Sequence, residues 1–347
     1  MNFMTEREEE QEAFDGGTSS LLVSGRAAKA GACPFWEDGD RLRGLPRWIG
    51  SAMPDAPESV AESPPAAAPR AAYSPIVWLS LVCLDAPIVA VSWQWLFARV
   101  FGAHLTLSLR FLLFLTAWLI YLADRFADTI RLPPGTPISL RHRFCREHMM
   151  GWWIAIVVIF LVDASLAMRT LDLQMLLLGG VLAAICGVYL FVNQSLGGKW
   201  RPLPLKEKAI GILFAAGTTL GVIGQLPGLT ASFGVAVMLF AIICAFNCLL
   251  IAAWERELDT AQGKASFLTS WPAVSRFFKP IGYGLAFVAA VLAFFWRFAL
   301  PLWLCLGVSA ILLVRLNQAT GLSRDNRTAL ADLVLLTPLA ILPFAWR

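Results

Sequence analysis

Long apolar runs alternate with short polar connections over most of the chain, and this alternation predicts the architecture before any motif is considered. A hydrocarbon core of about 30 Å takes about 20 helical residues to cross. Runs of that length fall at 75–99, 105–124, 149–168, 172–193, 207–225, 232–254, 278–296, 298–315 and 328–346. The expected fold class is an all-α membrane protein with about nine transmembrane helices. The first 72 residues break the pattern: "MNFMTEREEEQEAFDGG" is acidic and "MPDAPESVAESPPAAAPRAA" is rich in Pro, Ala and Ser. Such segments cannot bury enough apolar surface to offset the entropy of ordering. A disordered tail and linker over 1–72 and a membrane domain over 73–347 are therefore expected.

Composition agrees with the pattern. Hydrophobic residues make up 58% and charged residues 15% of the 347, and mean hydropathy is +0.65, whereas soluble domains carry about 25% charge. An integral membrane protein follows, and nothing in a net charge of +4 calls for nucleic acid. The seven cysteines are scattered, mostly within apolar runs and without a C-x-x-C pair, so they read as packing residues. The acidic start and the short "SSLLVSG" run lack the regions of a signal peptide, and the first span is expected to act as its own insertion signal.

The position of each cation carries more than the total. Arg125, Arg131, Arg141, Arg143 and Arg146 follow the second run, and Lys199, Arg201, Lys206 and Lys208 follow the fourth. Arg256, Lys264, Arg276 and Lys279 follow the sixth, and Arg315, Arg324 and Arg327 the eighth. The other connections hold only Arg99, Arg169, Arg297 and the terminal Arg347, with Arg110 inside a span. By the positive-inside rule the N-terminal side and these basic loops are cytoplasmic, and the C-terminus lies on the opposite side. A bacterial inner membrane is the expected setting.

Two of the basic boundaries also concentrate acid. "LIYLADRFAD", Leu119 to Asp128, and "LIAAWERELD", Leu250 to Asp259, share the pattern L-I-x-x-x-[DE]-R-x-x-D and end the second and sixth runs. The same motif at equivalent places of the same orientation points to a parallel repeat of four-helix halves. Residues four apart share a helix face, so Asp124 pairs with Asp128 and Glu255 with Asp259. Such like-charge couples destabilise an isolated helix, and a boundary that only had to be polar would not favour them. Two facing pairs, with Glu257, suit a hard cation such as Mg²⁺, which is held by one or two carboxylates together with substrate phosphates. The alternative is a solvated rim that pairs locally with Arg125, Arg131 and Arg256.

The neighbouring loops supply the opposite charge. "GGKWRPLPLKEKAIG" presents Lys199, Arg201, Lys206 and Lys208 beside a Gly pair and two prolines, and Lys264 follows the second acidic motif. These cations could bind a diphosphate; ordinary positive-inside bias explains them equally well. "RHRFCREH", which contains Arg141, His142, Cys145 and His148, lacks a fourth zinc ligand and reads instead as a lid or as a contact for phosphate or anionic lipid. Inside the runs, Asp85 must face a cavity or a partner, or be protonated. Asn247 lies two turns, about 12 Å, deeper than Glu255 on the same face. It is expected either to line the same cavity or to hydrogen-bond between helices.

Together these residues resemble the UbiA-type family of intramembrane prenyltransferases. "ADRFAD" matches the last part of that family's first acidic motif, N-D-x-x-D-R-x-x-D, with Ile120 and Tyr121 standing where its Asn and first Asp would be. "ERELDTAQG" resembles the second motif, with Leu258 replacing one acid, and "PLPLKEKAIG" resembles the Pro-Leu-Lys segment before the fifth helix. The resemblance covers 75–347 and implies nine helices in two four-helix repeats plus one. It implies Mg²⁺-dependent transfer of a prenyl group from an allylic isoprenoid diphosphate to an aromatic or other lipophilic acceptor. Asp124, Asp128, Glu255 and Asp259 would carry the chemistry and, with Glu257, hold the metal. Arg125, Arg141, Lys206, Lys208, Asn247, Arg256 and Lys264 would contact substrate. Two other classes are weighed: a noncatalytic membrane protein of the same fold that binds lipid or a partner, and a secondary transporter built on repeats. Transporters hold their coupling residues near the midplane, whereas these acid pairs lie at one membrane face.

Overall fold

The computed structural model describes residues 74–133, 135–195, 205–263 and 267–341. The N-terminal tail and linker assigned to 1–72 lie outside the described residues. The rest is helical, with no strand among the described residues. The α-helices are α1 (Pro75–Leu81), α2 (Asp85–Phe101), α3 (Leu107–Ile130), α4 (Leu140–Glu147), α5 (Met149–Thr170), α6 (Leu173–Ser195), α7 (Leu205–Ile223), α8 (Ala231–Ala261), α9 (Phe267–Ser270), α10 (Phe278–Phe295), α11 (Leu300–Gln318) and α12 (Arg324–Leu333). Short 3-10 turns join several of them, among them Thr337–Ala340 after α12.

The helix starts follow from local chemistry. Ser74, Thr106, Ser139, Thr230 and Ser323 each sit in extended backbone at an N-cap, and each side-chain oxygen accepts from a backbone N–H three residues on. The ends of α3 and α8 run further than the apolar runs at 105–124 and 232–254. No Gly or Pro interrupts "DRFADTI" or "ERELDTA", so both acidic motifs stay helical, and α8 ends just before Gly263, whose φ is +65°. At 31 residues α8 is about 46 Å long, more than the hydrocarbon core needs. Its last turns therefore carry "ERELD" beyond the apolar layer.

Among the described residues, six helical segments are long and apolar enough to cross a membrane, and a seventh crossing results if α1 and α2, bent by 93°, are one broken span. The chain is an all-α membrane protein, and the count of about nine is matched only in part. Lys206, Glu207 and Lys208 make the first turn of α7 polar. The run at 328–346 is not one helix: α12 stops at Leu333 and a 3-10 turn follows. Pro338 has no N–H to give the Val334 carbonyl, so an α-helix could not run through it intact. Pro87 acts likewise at the other break. As the fourth residue after Cys83 it cannot bond to that carbonyl, and Cys83 is turned to a φ of 58°.

The core forms where α2, α7, α8 and α11 meet. Trp93, Phe97, Phe240, Ile243, Leu302 and Trp303 are buried there, and Trp93 stacks at a tilt on Phe240 with ring centroids 4.5 Å apart. A second cluster joins α3 to α5 through Leu115, Leu122, Trp152 and Ile159. Much of α5, α6 and α10 faces outward with large apolar residues, including Phe160, Leu161, Phe191, Phe294 and Phe295. Such a surface is a liability in water and is the ordinary exterior of a bundle in lipid.

Small residues set the closest helix approach. A Cβ built on Gly211 of α7 would lie 2.5 Å from the Ala241 carbonyl oxygen and 2.7 Å from the Ala245 nitrogen of α8. Backbone cannot give way as a side-chain tip can, so Gly211→Val is expected to cost about 1–3 kcal/mol through overpacking. Gly284→Ala, with nothing within 4 Å of the added carbon, is expected to be neutral or slightly stabilising. Thermal unfolding of both variants in detergent checks the contrast.

Candidate functional site

The two acidic helix ends converge through α4. Arg141, in the first turn of that short helix, extends to Glu255 of α8 and forms a mostly buried ion pair. A second link lies beside it, where the Gln262 amide donates to the Pro137 carbonyl at 2.8 Å. The connection after the first motif is thus fastened to the end of the second. Burial works against the Arg141 charge, yet Glu255 and, next, Asp332 hold its guanidinium above the ordinary arginine value. Arg141 stays cationic in a site that excludes most water.

Asp124 and Asp128 lie half-buried on one face of α3, as their spacing requires. The Asp124 carboxylate feels Asp128, Lys206, Arg125 and Arg141 as its charged neighbours. The structure therefore brings Lys206 of α7 to the first motif. Glu255 and Asp259 share the inward side of α8. Glu257 and Arg256 are exposed, as is Lys208 on α7. A step of two residues turns a helix by more than half a revolution, so Glu257 and Lys208 point away from the neighbours that Glu255 and Lys206 reach. Lys264 lies outside the described residues, as do Lys199 and Arg201.

Arg125 is buried for another purpose. Its guanidinium donates to the Ser80 carbonyl at 3.2 Å, one of the last carbonyls of α1. Trp118 donates to the Val82 carbonyl at 2.9 Å. Both side chains satisfy acceptors at the α1–α2 break, and a carbonyl left bare there would be costly. At the other break, Trp93 donates to the Leu335 carbonyl at 2.8 Å.

Deeper in the bundle, Asn247 donates through its amide nitrogen to Asp332 of α12 at 2.8 Å. The interhelical hydrogen bond weighed for Asn247 exists, and the residue also lines a cleft. That cleft is small and is walled by Ala86 and Val89, Ile210 and Phe214, Cys244 and Cys248, Tyr121, Leu335 and Asp332. Asp85 is buried at the start of α2, where its carboxylate accepts from the Ala86 N–H at 3.0 Å, and it is among the acids felt by both Asp332 and Arg141. Asp332 lies outside the acidic motifs read from the sequence. The signal was available, because "TALADLVLL" places one carboxylate in an apolar run just as "VCLDAPIVA" does at Asp85.

The fit to Mg²⁺ turns on the donor set. Among the described residues no three His, Cys, Asp or Glu side chains are close enough to form a ready-made metal centre, and Glu255 is engaged by Arg141. What the helix ends present is Asp124 with Asp128 from α3, and Asp259 beside the engaged Glu255 from α8. One or two carboxylates with phosphate oxygens completing the shell is an ordinary Mg²⁺ arrangement, and this donor set suits that arrangement alone. No family model, curated protein or solved structure matches the chain.

The Arg141–Glu255 pair can be tested on its own. Arg141→Met or Glu255→Gln alone is expected to cost about 2 kcal/mol, because each leaves a mostly buried charge unmatched. The double variant is expected to be no less stable than the worse single one, a coupling of about 1–3 kcal/mol. A thermal double-mutant cycle measures it, and strict additivity would show that the contact does not hold the two motifs together.

Proposed function

We propose that the chain is an intramembrane prenyltransferase of UbiA-like architecture. It moves a prenyl group from an allylic isoprenoid diphosphate to a lipophilic, aromatic acceptor. The observation that supports this reading is the Arg141–Glu255 contact, by which the helix that follows the first acidic motif reaches the second. In this reading the broken α1–α2 pair, α7 and the interrupted segment after α11 are also inserted in the membrane, giving two four-helix repeats plus one. The N-terminal side and the basic loops are cytoplasmic, in a bacterial inner membrane.

The diphosphate lies at the polar centre, where Lys206 and Arg141 offer N–H donors to its oxygens. The Asp124–Asp128 pair on α3, or Asp259 on α8, would hold Mg²⁺ together with substrate oxygens, and the ion when bound supplies positive charge to the leaving group. The allylic C–O bond breaks with its electron pair leaving on the diphosphate, the acceptor's electrons form the new bond to carbon, and the acceptor loses a proton. The bundle keeps water from the electron-poor allylic carbon, which would otherwise be hydrolysed.

One observation favours the second reading, a noncatalytic membrane protein of the same fold. Glu255 is already neutralised by Arg141, and Ile120 and Tyr121 bring no carboxylate to α3. Incubating purified protein with Mg²⁺ and allylic diphosphates of several chain lengths, with and without a lipid extract, separates the two. Diphosphate release and a prenylated product by mass spectrometry are expected. Asp124→Ala and Asp259→Ala are each expected to lower turnover at least about 100-fold, equivalent to about 2.7 kcal/mol, and chelation of Mg²⁺ is expected to abolish it. Binding without turnover at every chain length supports the noncatalytic reading, and neither binding nor turnover rejects both.

A further inference from the structure

The cleft between α2, α3, α7, α8 and α12 differs in kind from the charged centre. Its volume is about 20 Å³, room for a single particle the size of water. Val89, Ile210, Phe214 and Leu335 make most of the wall apolar, and Asn247, Asp332 and Tyr121 supply its polar groups. Asn247 is 3% exposed. Its amide nitrogen is used on one oxygen of Asp332, while its own oxygen is buried without a partner. A buried acceptor left bare is costly, so a side chain held this way is built for a partner of positive polarity.

The surrounding charge narrows the choice. Asp332 feels Asp85 as its neighbouring acid and Arg141 and Arg125 as its cations. Neither cation is free to balance the two acids: Arg141 is engaged by Glu255, and Arg125 is shared with Asp124. Tyr121 adds a phenol oxygen in the field of the same two acids. In a low dielectric this surplus of acid favours one further positive charge. The donors are oxygens of a carboxylate, an amide and a phenol, which suit a hard cation. Mg²⁺ keeps several waters when bound, and a cleft with room for one particle does not admit them. A bare alkali ion fits both the volume and the charge.

We propose that this cleft binds one dehydrated monovalent cation of sodium size through the Asn247 amide oxygen and the Asp332 carboxylate, with the Tyr121 hydroxyl oxygen on a third side. The inference is independent of the transfer reading. Each ligand comes from a different helix: Asp332 from α12, Asn247 from α8 and Tyr121 from α3. The ion ties α12, which ends one residue after Asp332, to two helices long enough to cross the membrane. Sodium sites of membrane transporters are likewise built where a helix is interrupted. A carboxylate is a strong-field ligand, and such ligands favour sodium over the larger potassium ion.

The test uses the detergent-solubilised full chain in EDTA, which removes divalent ions, at an ionic strength of about 0.15 M set with sodium, potassium or choline chloride. Sodium is expected to raise the unfolding temperature by at least about 3 °C over choline, with a smaller rise in potassium, and radioactive sodium is expected to bind at one ion per chain. Asp332→Asn, which keeps the shape and removes the charge, is expected to weaken sodium binding at least about 10-fold. Tyr121→Phe, which removes only the hydroxyl, is expected to weaken it less. Asp124→Asn, at the charged centre, is expected to change it by no more than about threefold. Equal unfolding temperatures in the three salts with no sodium bound to the native protein overturn the site, with no variant needed. Potassium matching sodium overturns the assignment to an ion of sodium size. Sodium binding that survives Asp332→Asn and is lost in Asp124→Asn places the ion at the charged centre and also overturns it. No diphosphate is present in any of these samples, so each outcome leaves the transfer reading to its own assay.

Discussion

The cost of an unmatched polar group inside a lipid-facing bundle decides where everything else in this protein can sit. Hydrocarbon offers no partner, so each broken backbone segment must find its donors within the chain. Among the described residues, the α1–α2 bend and the break after α12 each have their own indole. Trp118 covers the Val82 carbonyl and Trp93 covers that of Leu335, while Arg125 covers Ser80. Trp93 belongs to α2 and reaches the segment that ends α12, so one hydrogen bond draws the second break against the helix that follows the first. The carboxylates nearest the breaks, Asp85 and Asp332, come into mutual range for that reason. The polar interior is a consequence of how the breaks are satisfied.

Arg141 then has a double role. On α4, outside the apolar layer, it pairs with Glu255, and its field extends to Asp332 and Asp85. A lysine could supply the charge, but only a planar guanidinium offers donors in several directions at once. One face can serve the protein's own acids while another meets an anionic ligand. The same pairing limits the metal reading, because the carboxylate that Arg141 holds is not free to be a strong ligand. A cation bound here would have to draw on one or two carboxylates and on the oxygens of its substrate.

The long apolar runs were legible, because hydropathy over about 20 residues is a local property of the chain. So were the N-caps and the shared face of each acid pair, which follow from helix geometry. The run at 328–346 was not correctly legible as one span. Hydropathy ignores what Pro338 does to the backbone, and "LADLVLLTPLAILP" is apolar whether or not it is straight. At the site, spacing could assign Asp124 and Asp128 to one face, but it could not say that Glu257 and Lys208 turn away, since that depends on where α3, α4 and α7 pack. Asp332 needed no packing information to be noticed, only the same suspicion that fell on Asp85. Its partner Asn247 could not be paired with it from sequence, as 85 residues separate them.

Ile120 and Tyr121 acquire a different meaning once the cleft is seen. Where the resemblance would place an amide and a carboxylate on α3, this chain has an aliphatic residue and a phenol. Tyr121 lines the same cleft as an amide from α8 and a carboxylate from α12. The oxygen functions missing from one helix are present on two others, and they are turned toward a pocket walled by Val89, Phe214 and Leu335. A carboxylate at 121 would have faced Asp332 across that pocket, and two like charges in low dielectric repel strongly. A tyrosine there keeps a polar edge without adding a second carboxylate beside Asp332.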